Sequence, residues 1–148
     1  MNRPSRPSLE ETFLAVAEET FLAVAEETFL VVAQVLAQRS TCPRAQVGAV
    51  IVRNNRIIAT GYNGAAAGEA HCTDKGCKIE NNHCIRAIHA ETNAVAQAAR
   101  LGIAVGGATL YFWDSQNRLA ESCNKCWQVM KAAGIAYVVG IDKIPRTL

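Results

Sequence analysis

The sequence has little net charge, no long apolar run and no start suited to export. Its 15 Lys and Arg stand against 13 Asp and Glu, a formal charge of +2. Proteins that grip duplex nucleic acid favour strongly basic surfaces, so electrostatics argue against that partner. No stretch approaches the roughly 18 consecutive apolar residues of a membrane span, which argues against a membrane partner too. The opening MNRPSRPS is basic, yet an acidic repeat follows it instead of an apolar signal core and a small-residue cleavage site. The expected location is therefore the cytoplasm. Six cysteines in such a setting are expected to be reduced, which puts metal binding ahead of disulfides. What is present is a 148-residue chain, 50% hydrophobic and 19% charged. That suits one compact core and excludes a disordered chain.

The N-terminus carries a direct repeat: EETFLAVA at 10–17 and 18–25, then EETFLVVA at 26–33. Ser8 is the expected N-cap of a long helix, with Glu10 and Glu11 in its first turn. A period of eight does not match the helix. At about 100° per residue each copy is turned by roughly 80° from the last, so one core cannot bury all three. The third copy is the expected core helix. Residues 1–25 then form a tail and helical extension ahead of a domain at 26–148. The extension is either solvated or covered by a partner chain, and its stray apolar face favours a homo-oligomer.

Val47–Arg53 and Arg56–Tyr62 read as strands joined by Asn54-Asn55, a two-residue hairpin signal. Ala90–Leu101 has a helical apolar face and stops at Gly102. Ala108–Trp113 reads as a strand, Cys123–Ala133 as a helix ending at Gly134, and Ile135–Val139 as another strand. Strand, helix and strand in that order make a crossover unit, so the last two strands should be parallel. The expected class is α/β: a mixed central sheet with a β-hairpin and parallel strands, and helices on both faces in three α/β/α layers.

Two short motifs carry chemistry. His89-Ala90-Glu91 opens one helix, and Cys123-Asn124-Lys125-Cys126 opens another. Cysteines at i and i+3 face the same way, and a helix N-terminus favours their thiolate form. A histidine from a second helix start completes three protein ligands. Zinc with three protein ligands keeps a fourth position for water, the mark of a catalytic site, and lowers the pKa of that water toward neutrality. Glu91, two residues from the histidine, can reach the water without binding metal and move its proton to the substrate.

HAE followed downstream by CxxC resembles the zinc-dependent cytidine deaminase superfamily. More narrowly, STCPRAQVGAVIV, RIIATGYNG and HC-x3-GC-x6-C-x4-HAE look like deoxycytidylate (dCMP) deaminases of the late-competence type. The resemblance spans roughly residues 26–140. It implies the cytidine-deaminase-like fold and hydrolytic removal of ammonia from C4 of dCMP, giving dUMP. It also implies His89, Cys123 and Cys126 on the catalytic zinc and Glu91 as proton shuttle. The same chemistry on another cytosine or modified-base substrate (a nucleoside or single-stranded nucleic acid) and a non-catalytic zinc protein are the rival readings; Glu91 argues against the second.

The resemblance further implies a structural zinc on Cys42 and Cys72, with Cys77 the natural third ligand. His83 or Cys84 would be fourth: likeness to the phage enzymes favours His83, sulfur affinity favours Cys84. Buried unligated thiols are the alternative, although a polar loop of about 14 residues needs something to order it. In Gly61-Tyr62-Asn63-Gly64, Asn63 and Gly64 are expected at the substrate, and the family loop also admits a dCTP- or dTTP-type effector with Mg2+. Two departures stand out. Ser122 replaces the family's proline before CxxC and is expected to cap that helix. The Asp114–Glu121 insertion lies between a strand end and the cysteines, where pocket walls lie, and is expected to set substrate choice.

Overall fold

A computed structural model describes residues 5–119 and 123–148, and for 18–24 the backbone path alone. Helix α1 (Leu9–Ala37) starts with a capping box: the Glu11 N–H donates to Ser8 Oγ at 3.1 Å, and the Ser8 N–H donates to Glu11 Oε2 at 2.7 Å. Strands β1 (Val47–Arg53) and β2 (Arg56–Tyr62) form the hairpin. Asn54 and Asn55 both take positive φ, 50° and 61°, as a type I′ turn requires. A short helix α2 (Cys72–Lys75) and a small hairpin, β3 (Ile79–Glu80) with β4 (His83–Cys84), fill the polar stretch. Then come α3 (Ala90–Arg100), β5 (Thr109–Asp114), α4 (Asn124–Ala132), β6 (Tyr137–Val139) and β7 (Pro145–Thr147).

The main sheet has the order β2-β1-β5-β6-β7. β1 is antiparallel to both neighbours, β5 and β6 are parallel, and β7 closes the edge antiparallel to β6. This is the expected mixed sheet with its parallel crossover. β7 is an addition, because PRT lacks the alternating apolar pattern that marks a strand in sequence.

Strand alternation divides the core into two layers. Ala49, Ile51, Leu110 and Phe112 face α3 and α4, meeting Ala90, Ala94, Ala98, Cys126 and Met130. Val50, Val52 and Tyr111 face the other way, onto Phe29 and Leu30 of α1. Helices thus cover both faces. The third repeat copy reaches the core: Phe29 is 8% exposed and stacks obliquely on Tyr111 at 5.2 Å, whereas Phe13 of the first copy is 73% exposed. Two glycines let helix backbone meet sheet directly. A Cβ on Gly48 would lie 1.9 Å from the Ala33 carbonyl oxygen of α1, and one on Gly61 would lie 2.4 Å from that of Ala90 in α3. The second approach seats the start of α3 on the sheet. Among the described residues no helix is long and apolar enough to cross a membrane.

Candidate metal centre and active site

α3 and α4 start side by side on one face of the sheet, and each starts on a residue of the expected ligand set. His89 is the N-cap of α3, in extended backbone, with its side chain making no capping bond. Cys123 is the N-cap of α4, its Sγ accepting the Cys126 N–H at 3.3 Å. The capping role expected of Ser122 therefore falls to Cys123; Ser122 itself lies outside the described residues, as do Ala120 and Glu121. Ligand atoms of His89, Cys123 and Cys126 all lie within 4.8 Å of one another, with His89 Nδ1 3.2 Å from Cys126 Sγ. Tetrahedral zinc with ordinary bond lengths would set nitrogen and sulfur about 3.6 Å apart, so the group fits such an ion.

Electrostatics agree with the geometry. Burial pushes the Cys126 thiol well above its ordinary range, and the negative charge of Glu91 pushes it further. Such a sulfur becomes a thiolate when a cation binds it. Thr92 Oγ1 lies 3.5 Å from the same sulfur. Glu91, half-buried in the first turn of α3, is thus close enough to act on Cys126.

Asn63 is buried, and two of its hydrogen-bonding capacities are committed to backbone: Oδ1 accepts the Val47 N–H at 2.9 Å, and Nδ2 donates to the Ala45 carbonyl at 2.8 Å. Gly64 pairs with Ile88, the residue before His89, through two backbone bonds of 3.1 and 2.8 Å. Asn93, which the sequence did not single out, ties this together. Its Nδ2 donates to Tyr62 O at 2.9 Å and lies within 3.5 Å of Gly64 O and Ile88 O. It stands four residues after His89 on an alanine-rich helix, a spacing that puts both on one side.

The second cysteine cluster forms, with a different membership. Sγ atoms of Cys72, Cys77 and Cys84 lie within 4.8 Å of one another, with Cys72 and Cys84 3.5 Å apart. Cys84 joins the group and His83 does not, because neighbours on a strand point to opposite sides and His83 is the exposed one. Cys42 is buried outside the group. Burial raises the Cys72 thiol to about 12, and its two sulfur neighbours add to this. Burial also acts to raise Cys84, but N–H groups of Ala87, Arg86 and Lys78 around the sulfur bring it down to about 7. A missed signal precedes it: Asn81-Asn82 takes positive φ, 49° and 63°, repeating the Asn54-Asn55 turn.

The described part of the insertion is clamped to the segment before β1. Ser115 N–H donates to Gln46 O, Gln46 N–H donates to Ser115 Oγ, both at 3.0 Å, and Gln116 Nε2 donates to Arg44 O at 2.8 Å. Buried Asp114 accepts from the Gln116 N–H at 2.8 Å and from Arg118 Nε at 2.7 Å. Trp113 faces α1 and a cavity of about 160 Å³ there, on the side of the sheet away from the metal ligands, while Trp127 packs into the α3–α4 core.

A mixed sheet between helices, with one imidazole, two thiols and a carboxylate at two neighbouring helix starts, defines the class of zinc-binding deaminases. The family model for the cytidine and deoxycytidylate deaminase zinc-binding region matches residues 24–141. The chain belongs to that family. It is 37% identical to the deoxycytidylate deaminase of Mycobacterium phage D29 over 147 residues, covering 91% of this chain and 95% of the phage protein. It is 46% identical to ComE operon protein 2 of Bacillus subtilis over 104 residues, covering 70% of this chain but only 52% of that protein. The cyanophage S-TIM5 dCMP deaminase, solved in complex with dCMP and dUMP, superimposes with a TM-score of 0.64 at 28% identity, covering 78% of this chain and 79% of that one.

Proposed function

We propose that this protein hydrolyses dCMP to dUMP and ammonia. The observation that carries it is the convergence of His89, Cys123 and Cys126 beside Glu91 in a deaminase fold. The zinc these three residues would hold supplies a Lewis acid and lowers the pKa of a water. Glu91 receives the proton that this water loses on adding to C4. Attack at C4 drives electrons onto ring N3, so Glu91 delivers a proton there and then helps protonate the departing amino group. One water enters and one ammonia leaves.

The Gly64–Ile88 bridge and Asn93 hold the loop at Tyr62–Gly64 against the start of α3, so pocket wall and ligand set move as one body. Asn63 keeps one N–H and one oxygen lone pair for a sugar hydroxyl. The 114–121 insertion selects among cytosine substrates, and its clamp onto 44–46 gives it a fixed position from which to do so.

A second zinc is held by Cys72, Cys77 and Cys84. Its fourth ligand comes from Cys42 or His71, whose loops are joined by a 3.1 Å bond between Thr41 Oγ1 and His71 Nδ1. A cavity of about 320 Å³ lined by Ala66, Glu69, Lys78, Arg86 and Ile88 offers two cations to the phosphates of a nucleotide effector, with Mg2+ shielding their charge. Residues 26–148 form the deaminase domain, 1–25 an appended extension, and the protein works in the cytoplasm as a homo-oligomer. The test is the fall in cytosine absorbance with dCMP, deoxycytidine and CMP. Turnover favouring dCMP supports the assignment, and a preference for the nucleoside overturns it.

A further inference from the structure

α1 is about 43 Å long, and its sheet-facing side is occupied near its C-terminal end by Phe29, Leu30, Ala33 and Ala37. On the opposite side Leu9, Phe13, Val16, Val31 and Val35 are all exposed, the first by 91% and the last by 57%. At about 100° per residue these five fall within about 100° of one another, roughly 140° from the buried set. Counting by threes and fours from Val16 returns to Val31 and Val35. Two outward apolar patches, Leu9, Phe13 and Val16 on the extension and Val31 and Val35 on the back of the domain, therefore share one side of the helix, about 39 Å from end to end. Single exposed apolar residues are ordinary on a protein surface, but two such patches on the same side of one helix mark an interaction face.

Charge narrows what can cover it. All six charged residues of α1 are glutamates, whereas all 15 Lys and Arg lie elsewhere in the chain. A phosphate backbone or an acidic lipid surface would be repelled. By the same angular count Glu11 and Glu26 point to the sheet side, while Glu27 falls between the two patches on their own side, where Lys143 neutralises it. A parallel partner helix would set Glu10 against Glu10 and align the two helix dipoles unfavourably. An antiparallel copy avoids both. Pairing Leu9 with Val35 and Phe13 with Val31 also brings Arg6 of one copy to position 38 of the other. There the last turn of α1 has carbonyls but no basic side chain of its own.

We propose that the outer face of α1 is an interface between two copies of this chain, packed antiparallel with Phe13 of each on Val31 of the other. It rests on the homo-oligomer reading above and adds the surface and register to it. The test uses full-length Phe13→Lys, Val31→Glu and the combined variant, with sedimentation velocity and light scattering at micromolar concentrations. Both positions are exposed, so circular dichroism should show unchanged helix content. Each single change should weaken assembly at least about tenfold, and the combined variant, which sets opposite charges across the seam, should restore it to within about threefold. Parental assembly in both single variants would overturn this interface and leave the homo-oligomer reading standing. Disruption without restoration would overturn the antiparallel register, and a monomeric parent would overturn both readings.

Discussion

Replacing Gly61 by alanine should damage the site without touching a ligand. A Cβ there would stand 2.4 Å from the Ala90 carbonyl oxygen and 2.5 Å from the Ala94 nitrogen, both backbone atoms of α3. Ordinary contact begins near 3.4 Å, so helix and strand must part by about 1 Å. No flexible side chain can absorb that shift. Overpacking of this kind costs about 1–3 kcal/mol, or roughly 3–10 °C in Tm for a domain this size. The same displacement carries His89 and Glu91 away from Cys123 and Cys126, and about 1 Å of misplacement can cost about 10²-fold in rate. Gly48→Ala is the matched control. Its Cβ would meet the Ala33 carbonyl of α1 at 1.9 Å, on the other face of the sheet, so it should destabilise at least as much while altering kcat less. The assays are thermal unfolding, zinc content and steady-state dCMP turnover on all three proteins. An unchanged Tm with kcat/KM within threefold of the parent for Gly61→Ala would refute the reasoning. Equal loss of kcat in both variants would show that general loosening, and not displacement of α3, is the cause.

Glu91→Gln should keep the metal and the fold but lower kcat by about 10²–10⁴-fold, read by elemental analysis beside turnover; activity within tenfold of the parent would assign the proton transfers elsewhere. Metal analysis of the parent should return two zinc ions per chain, falling to one in Cys84→Ser and staying at two in His83→Ala. Shortening the 114–121 segment should change the ratios of kcat/KM among dCMP, deoxycytidine and CMP by at least about tenfold, whereas equal scaling of all three would mean a supporting role alone. Asp142 is held below its ordinary range by hydrogen bonds from Arg146, at 2.7 and 3.1 Å. A lowered folded-state pKa stabilises above the unfolded value and loses that contribution as pH falls through the folded one. Asp142→Asn should therefore lower Tm at pH 7, and the difference from the parent should shrink as pH falls below the ordinary carboxylate range.

Local and periodic features carried most of the fold in the sequence. Asn-Asn between two apolar runs, the alanine face of α3 ending before Gly102, and strand-helix-strand order each depend on neighbours within a few residues, so the hairpin, both helices and the parallel crossover were legible. His89, Glu91, Cys123 and Cys126 were legible for a related reason: each pair lies within one helical turn, and one turn is rigid. The angular mismatch of an eight-residue repeat was enough to separate buried Phe29 from exposed Phe13. Tertiary structure alone decided what depends on the direction of a side chain in a loop or on a distant edge. The β3–β4 turn chose Cys84 over His83, because alternation sends one inward and the other out. Packing drew Asn63 into the scaffold and gave Asn93 its three carbonyls. β7 joined the sheet because β6 offered an open edge, which no pattern in Pro145–Thr147 announces.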